Sequence, residues 1–159
     1  LAIRNTGGLQ ADAIQLTAAA GTVSHEGGSI VGDELAVSGN AIHLAADINA
    51  DSSRFNDATY LGADVTISGR DGGQATSAHF VSTLDSMPES QHALVADAAL
   101  TDFDGAVGGQ DRLGSIELTG DMQAAADVLA ANGIYVAGEA VLDGDATQDV
   151  DAGAGGIDA

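Results

Sequence analysis

The chain has 159 residues, enough for one domain of ordinary size, and contains 22 Gly, one Pro, no Cys and no Trp. Its 24 acidic residues face only 4 basic ones, Arg4, Arg54, Arg70 and Arg112, for a formal net charge of −20. That balance excludes a phosphate-neutralising nucleic-acid surface and disfavours an anionic membrane surface. The absence of cysteine leaves the redox compartment unreadable, and no apolar run approaches the ~18 residues of a membrane-spanning helix.

In chain order, seven stretches share one pattern, two large aliphatics separated by one residue. They are Ile14-Gln15-Leu16, Leu35-Ala36-Val37, Ile42-His43-Leu44, Val65-Thr66-Ile67, Ile116-Glu117-Leu118, the contracted Val128-Leu129-Ala130, and Ile134-Tyr135-Val136. In an extended segment the two aliphatics share one face and the residue between them points the other way. Gln15, Thr66 and Glu117 are polar, as a strand with one face in a core and one in water requires. A turn former lies within two residues of each first aliphatic: Asp12, Asp33, Asn40, Asp64, Gly114, Asp127 and Asn132.

The spacings come in two sizes. Leu35 follows Ile14 by 21 residues and Ile134 follows Ile116 by 18, which reads as one full coil. Ile42 follows Leu35 by 7 and Val141 follows Ile134 by 7, which reads as the step to the next strand around a corner. Three short strands and three turns in coils of about 20 residues define an all-β fold, a parallel β-helix or β-solenoid. Ile14, Leu16, Leu35, Val37, Ile116, Leu118, Ile134 and Val136 should then point into one columnar core.

The pattern makes residues 1–159 one β-solenoid segment, clearest at 12–50 and 114–143. Residues 51–62 and 69–113 are less regular and read as insertions. The second holds Pro88, which suits the first turn of a helix. A short helix near 86–100 is one expectation for Gln91 to Leu100; another coil is the alternative, because Ala tolerates both.

The coils with Asp, Asn and Gly corners, as in Gly28 to Leu44, resemble the repeat region of filamentous haemagglutinin-like proteins. These are large exoproteins of Gram-negative bacteria, including autotransporter-type adhesins. The resemblance covers about half the chain, and the Asn-Pro-Asn motifs of that family's secretion domain do not occur. It implies a right-handed β-helix, a place on the cell surface or in the secreted fraction, and adhesion to host or cell-surface glycans or proteins. The chain then reads as a non-enzymatic shaft segment excerpted from a longer protein, its partners being neighbouring coils of the same or a partner chain. Two alternatives stay open, a carbohydrate-active β-helix enzyme (polysaccharide hydrolase or lyase) and a scaffold subunit of a surface layer or assembly.

Candidate sites are few. The run Asp143 to Asp151 is densest in acids, and Asp143, Asp145, Asp149 and Asp151 are candidate calcium ligands. An EF-hand reading fails, because Gln148 and Ala154 stand where Gly and Glu are needed. Gly153 to Asp158 misses the repeats-in-toxin pattern as well, and a solvated, turn-rich edge is the competing reading. Asp102 and Asp104 are two apart, on one face if extended, the pair a glycoside hydrolase needs, although the Gly-His-Gly and further Asp pairs of such enzymes do not occur and turn acids are the competing reading. His25, His43, His79 and His92 lack zinc-ligand spacing, although His25 and His43 are one coil apart. No catalytic or cofactor-binding motif is assigned.

Overall fold

A computed structural model describes residues 2–143, 150–151 and 156–158. The described chain is all-β and winds into about seven coils, each contributing to three faces. The first coil is β1 (Ile3–Asn5), β2 (Leu9–Gln10) and β3 (Ala13–Thr17). The second is β4 (Thr22–His25) and β5 (Ile30–Ser38), and the third β6 (Ala41–Leu44) and β7 (Ile48–Phe55). The fourth is β8 (Thr59–Leu61), β9 (Val65–Ser68) and β10 (Ala75–Phe80). The fifth is β11 (Leu84–Ser86), β12 (Leu94–Ala96) and β13 (Ala98–Phe103). In the sixth, a bridge at Val107 replaces the first strand, followed by β14 (Ile116–Leu118) and β15 (Asp121–Ala124). The seventh is β16 (Val128–Leu129), β17 (Ile134–Val136) and β18 (Ala140–Leu142); β19 (Val150–Asp151) and β20 (Ile157–Asp158) begin the next.

Every registered pair is parallel. The first face stacks β1, β4, β6, β8 and β11, then continues through Val107 to β16 and β19. The second face runs β2, β5, β7, β9, β12, β14, β17, β20, and the third β3, β5, β7, β10, β13, β15, β18. The strands β5 and β7 serve both of these faces because each passes through the corner. Their inward-outward alternation slips by one residue there, at Asp33-Glu34 and Asp51-Ser52. Close coil packing at these corners demands small residues. A Cβ on Gly120 would run into the carbonyl oxygens of Ala98 and Ala99 one coil below.

The aliphatic pairs occupy the expected column. Ile14, Leu35, Val37, Ile116, Leu118, Ile134 and Val136 are buried, and Leu16 packs half-buried against them in the first coil. The third face adds an element invisible in the aliphatic pattern. Phe55, Phe80 and Phe103, all the phenylalanines in the chain, lie in register and stack at 4.8 and 5.5 Å between ring centroids. Offset stacking adds to burial as a source of stability.

The helix considered near 86–100 does not form; the coil alternative does. Leu94 and Ala96 pair with Val65 and Ile67 on one side and with Ile116 and Leu118 on the other. These ladders and the burial of Leu94, Ala96 and Ala98 override the helical propensity of alanine. Pro88 takes the second position of a tight turn closed by a hydrogen bond from the Ser90 N–H to the Met87 carbonyl at 3.0 Å. Glu89 follows at φ 63°, the left-handed conformation that the third position of a type II turn requires. Residues 51–62 and 69–113 therefore supply strands to the same stack. Their irregularity is one of loop length: the chain returns quickly from Ile42 to its register partner Thr59, but takes a far longer path from Ile67 to Ala96.

Candidate functional site

The outward side of the third face carries the densest mixed chemistry of the described residues. Each Phe of the stack is preceded by an outward-pointing side chain: Arg54, His79 and Asp102. Parallel register sets these three side by side, with His79 between the other two. The residues after the first and third Phe complete the group, Asn56 holding Arg54 and Asp104 holding His79.

The hydrogen bonds run in one direction. Arg54 Nε donates to Asn56 Oδ1 at 2.8 Å, and Arg54 Nη1 meets His79 Nδ1 at 2.6 Å. A guanidinium only donates, so Nδ1 accepts and the ring proton sits on Nε2. His79 Nε2 then donates to Asp104 Oδ2 at 2.9 Å, with Asp102 Oδ2 at 3.5 Å. One nitrogen and two carboxylate oxygens lie within 4.8 Å of one another. The imidazole and the Asp102 side chain are about a quarter exposed and that of Asp104 about half, so one side is open to solvent. Toward the first coil Arg54 also lines a shallow groove of about 510 Å³ whose floor includes Ala13, Ala36 and Ser52.

The other histidines do not assemble. His25 and His43 sit in adjacent coils but point opposite ways, because Ser24 rather than His25 is the register partner of His43. His25 is buried; its Nδ1 is 3.1 Å from the Asn5 amide nitrogen and its Nε2 3.1 Å from the Asp47 carbonyl. His43 packs edge-on against Tyr60 at 5.7 Å, and His92 Nδ1 lies 3.6 Å from Asp64. Of the calcium candidates, Asp145 and Asp149 lie outside the described residues. Asp143 accepts from Gln123 Nε2 at 3.1 Å, and Asp151 pairs with Arg112 Nη2 at 2.7 Å.

Many remaining acids have a structural task. Corner aspartates accept backbone N–H groups from a neighbouring coil: Asp47 from Thr66, Asp51 from Arg70, Asp64 from Ala93 and Asp121 from Glu139, all at 2.8 to 2.9 Å. Charge-assisted bonds of this kind satisfy backbone donors at corners and strand ends that no ladder reaches. Asp85, buried on the first face, uses one oxygen to accept from the N–H groups of Gln110 and Asp111 at 2.9 and 3.3 Å. Arg70 bridges Asp33 and Asp12, clipping three coils together, and both carboxylates raise its pKa, Asp33 the more strongly.

Asp102 and Asp104, paired by their spacing in the sequence, do share one face, but their meeting with His79 and Arg54 was missed because the aliphatic pattern passes over this row. The signal was there as a polar residue before each Phe, recurring at nearly equal intervals. Comparison with protein families, with curated proteins and with solved structures returns no match.

Proposed function

We propose that this chain is a non-enzymatic shaft segment of a large adhesin-like exoprotein, exported to the surface of a Gram-negative bacterium. The observation that carries the reading is the passage of three parallel faces through successive coils, the first of them carried across the sixth coil by the bridge at Val107. Such a stack is quasi-one-dimensional: the strand ladders of each coil bond only to its neighbours, and coils add without altering those already laid down. A unit of this kind sets distance and displays corner loops. The acidic outer surface suits export, since self-repulsion opposes aggregation between rods. The partners of the shaft are neighbouring coils, and glycans or proteins of a host or cell surface.

A second reading, a carbohydrate-active enzyme, draws support from the groove beside Arg54 and from the two carboxylates at His79. One set of experiments separates the two. Determining the full reading frame should reveal further coils with the same aliphatic pairs and Asp, Asn or Gly corners, and the protein on intact cells should be cleaved by added protease. Incubation with acidic and neutral polysaccharides should release no new reducing ends and no unsaturated products. Turnover that disappears in Asp102→Asn would replace the shaft with the enzyme, and a cytoplasmic protein resistant to external protease would remove the exported shaft.

A further inference from the structure

We propose that His79, Asp102 and Asp104 form a binding site for a divalent first-row transition ion, gated by the side chain of Arg54. This inference is independent of the shaft reading. The ligand set is one imidazole nitrogen and two carboxylate oxygens: the β10–β13 ladder sets His79 beside Asp102, and Asp104 follows one residue after β13. Ligands about 2.0–2.2 Å from a zinc-sized ion stand a little over 3 Å from one another in a tetrahedral shell. His79 Nε2 is already 2.9 Å from Asp104 Oδ2 and 3.5 Å from Asp102 Oδ2, and all three ligand atoms lie within 4.8 Å of one another. The solvent-facing side leaves room for water to complete the shell. A nitrogen ligand favours zinc-class ions over calcium, which takes oxygen ligands.

Arg54 makes the site conditional. A metal on Nε2 needs the lone pair there, so the ring proton must sit on Nδ1 and point at a hydrogen-bond acceptor. The group at Nδ1 is the Arg54 guanidinium, which has no acceptor and carries a positive charge. Metal binding therefore requires Arg54 to leave His79, and Asn56 is the side chain that holds it in place. Arg54→Gln supplies an amide oxygen that accepts from Nδ1–H and removes the charge. It should bind metal more tightly than the wild type.

The test is calorimetric titration of the whole chain with ZnCl₂ alone, repeated with CaCl₂, with circular dichroism confirming the fold of every variant. The wild type should show one saturable zinc event and no saturable calcium event. His79→Ala and the near-isosteric Asp104→Asn should each weaken zinc at least about tenfold, and Arg54→Gln should tighten it by about tenfold. Thermal melting should rise with zinc in the wild type and not in Asp104→Asn. Unsaturable zinc binding by the wild type, affinity unchanged in both His79→Ala and Asp104→Asn, or no tightening in Arg54→Gln would overturn the proposal. The first two would place the zinc on the general acidic surface, and the third would remove the Arg54 gate.

Discussion

Phe80 lies nearly parallel to Phe55, 20° between ring planes and 4.8 Å between centroids, as its register partner one coil away. Phe103 stacks on its other side at 5.5 Å. The chain has little other aromatic content, so much of the bulk of the third face rests on this one column. Alternation along each strand turns the same periodicity outward, where Arg54, His79 and Asp102 ride on the stack. Core and candidate site are two sides of the same ladder.

Truncating the middle ring should therefore cost more than truncating an aliphatic. Phe80→Ala removes a fully buried side chain and both stacking contacts, an expected loss of about 3–5 kcal/mol. Chemical denaturation would measure it. A loss below about 1 kcal/mol would mean that the coils repack freely and that the column is not a principal support.

Thr101 offers the opposite sign. Its hydroxyl is buried and has no hydrogen-bond partner among the described residues. Thr101→Val keeps the shape and removes the stranded polar group, so the variant should be as stable as the wild type or gain about 1 kcal/mol. Clear destabilisation in the same denaturation experiment would show that the hydroxyl is satisfied in solution.

The pH response can be isolated at Glu26. Its hydrogen bond to Arg4 Nε at 2.7 Å, with the attraction of that guanidinium, lowers its pKa in the folded chain. A depressed carboxylate contributes stability that is present above its unfolded value, about 4.3, and is lost as pH falls through the folded value. Wild type and Glu26→Gln should differ slightly in melting temperature at pH 7 and converge below about pH 4. A constant gap across that window would assign the effect to packing. The raised pKa values of Arg4 and Arg70 bear only on strongly alkaline conditions.

Salt should stabilise the chain smoothly. With 24 acidic residues against 4 basic ones, like charges repel across the surface of a narrow stack. Screening shortens the range of that repulsion to about 8 Å at physiological ionic strength. Melting temperature in NaCl should climb without a plateau at low concentration. Calcium should add only a weak increment, reversed by EDTA. Saturation at micromolar calcium would instead point to a dedicated site, for which Asp143, Asp145, Asp149 and Asp151 remain the candidates.

The fold class was legible in the amino-acid pattern alone. Aliphatic pairs such as Ile14-x-Leu16 and Leu35-x-Val37 mark one face of a strand, and their recurrence at the length of one coil leaves little but a stack of coils. Both signals are local, written in the period of side-chain direction along an extended chain. The strand at Leu94–Ala96 was not legible in that way, because alanine suits helix and strand alike and only the neighbours Val65 and Ile116 select the ladder. The same limit hid how the candidate site assembles, although its acids Asp102 and Asp104 were legible as a pair. Which residue of one coil faces which residue of the next depends on loop lengths that vary from coil to coil. His79 meets both Asp102 and Arg54 across long intervening loops, whereas His25 and His43, closer together in the chain, point to opposite sides. A shift of one residue in register reverses inside and outside, so side-chain chemistry between coils was decided only when the corners closed.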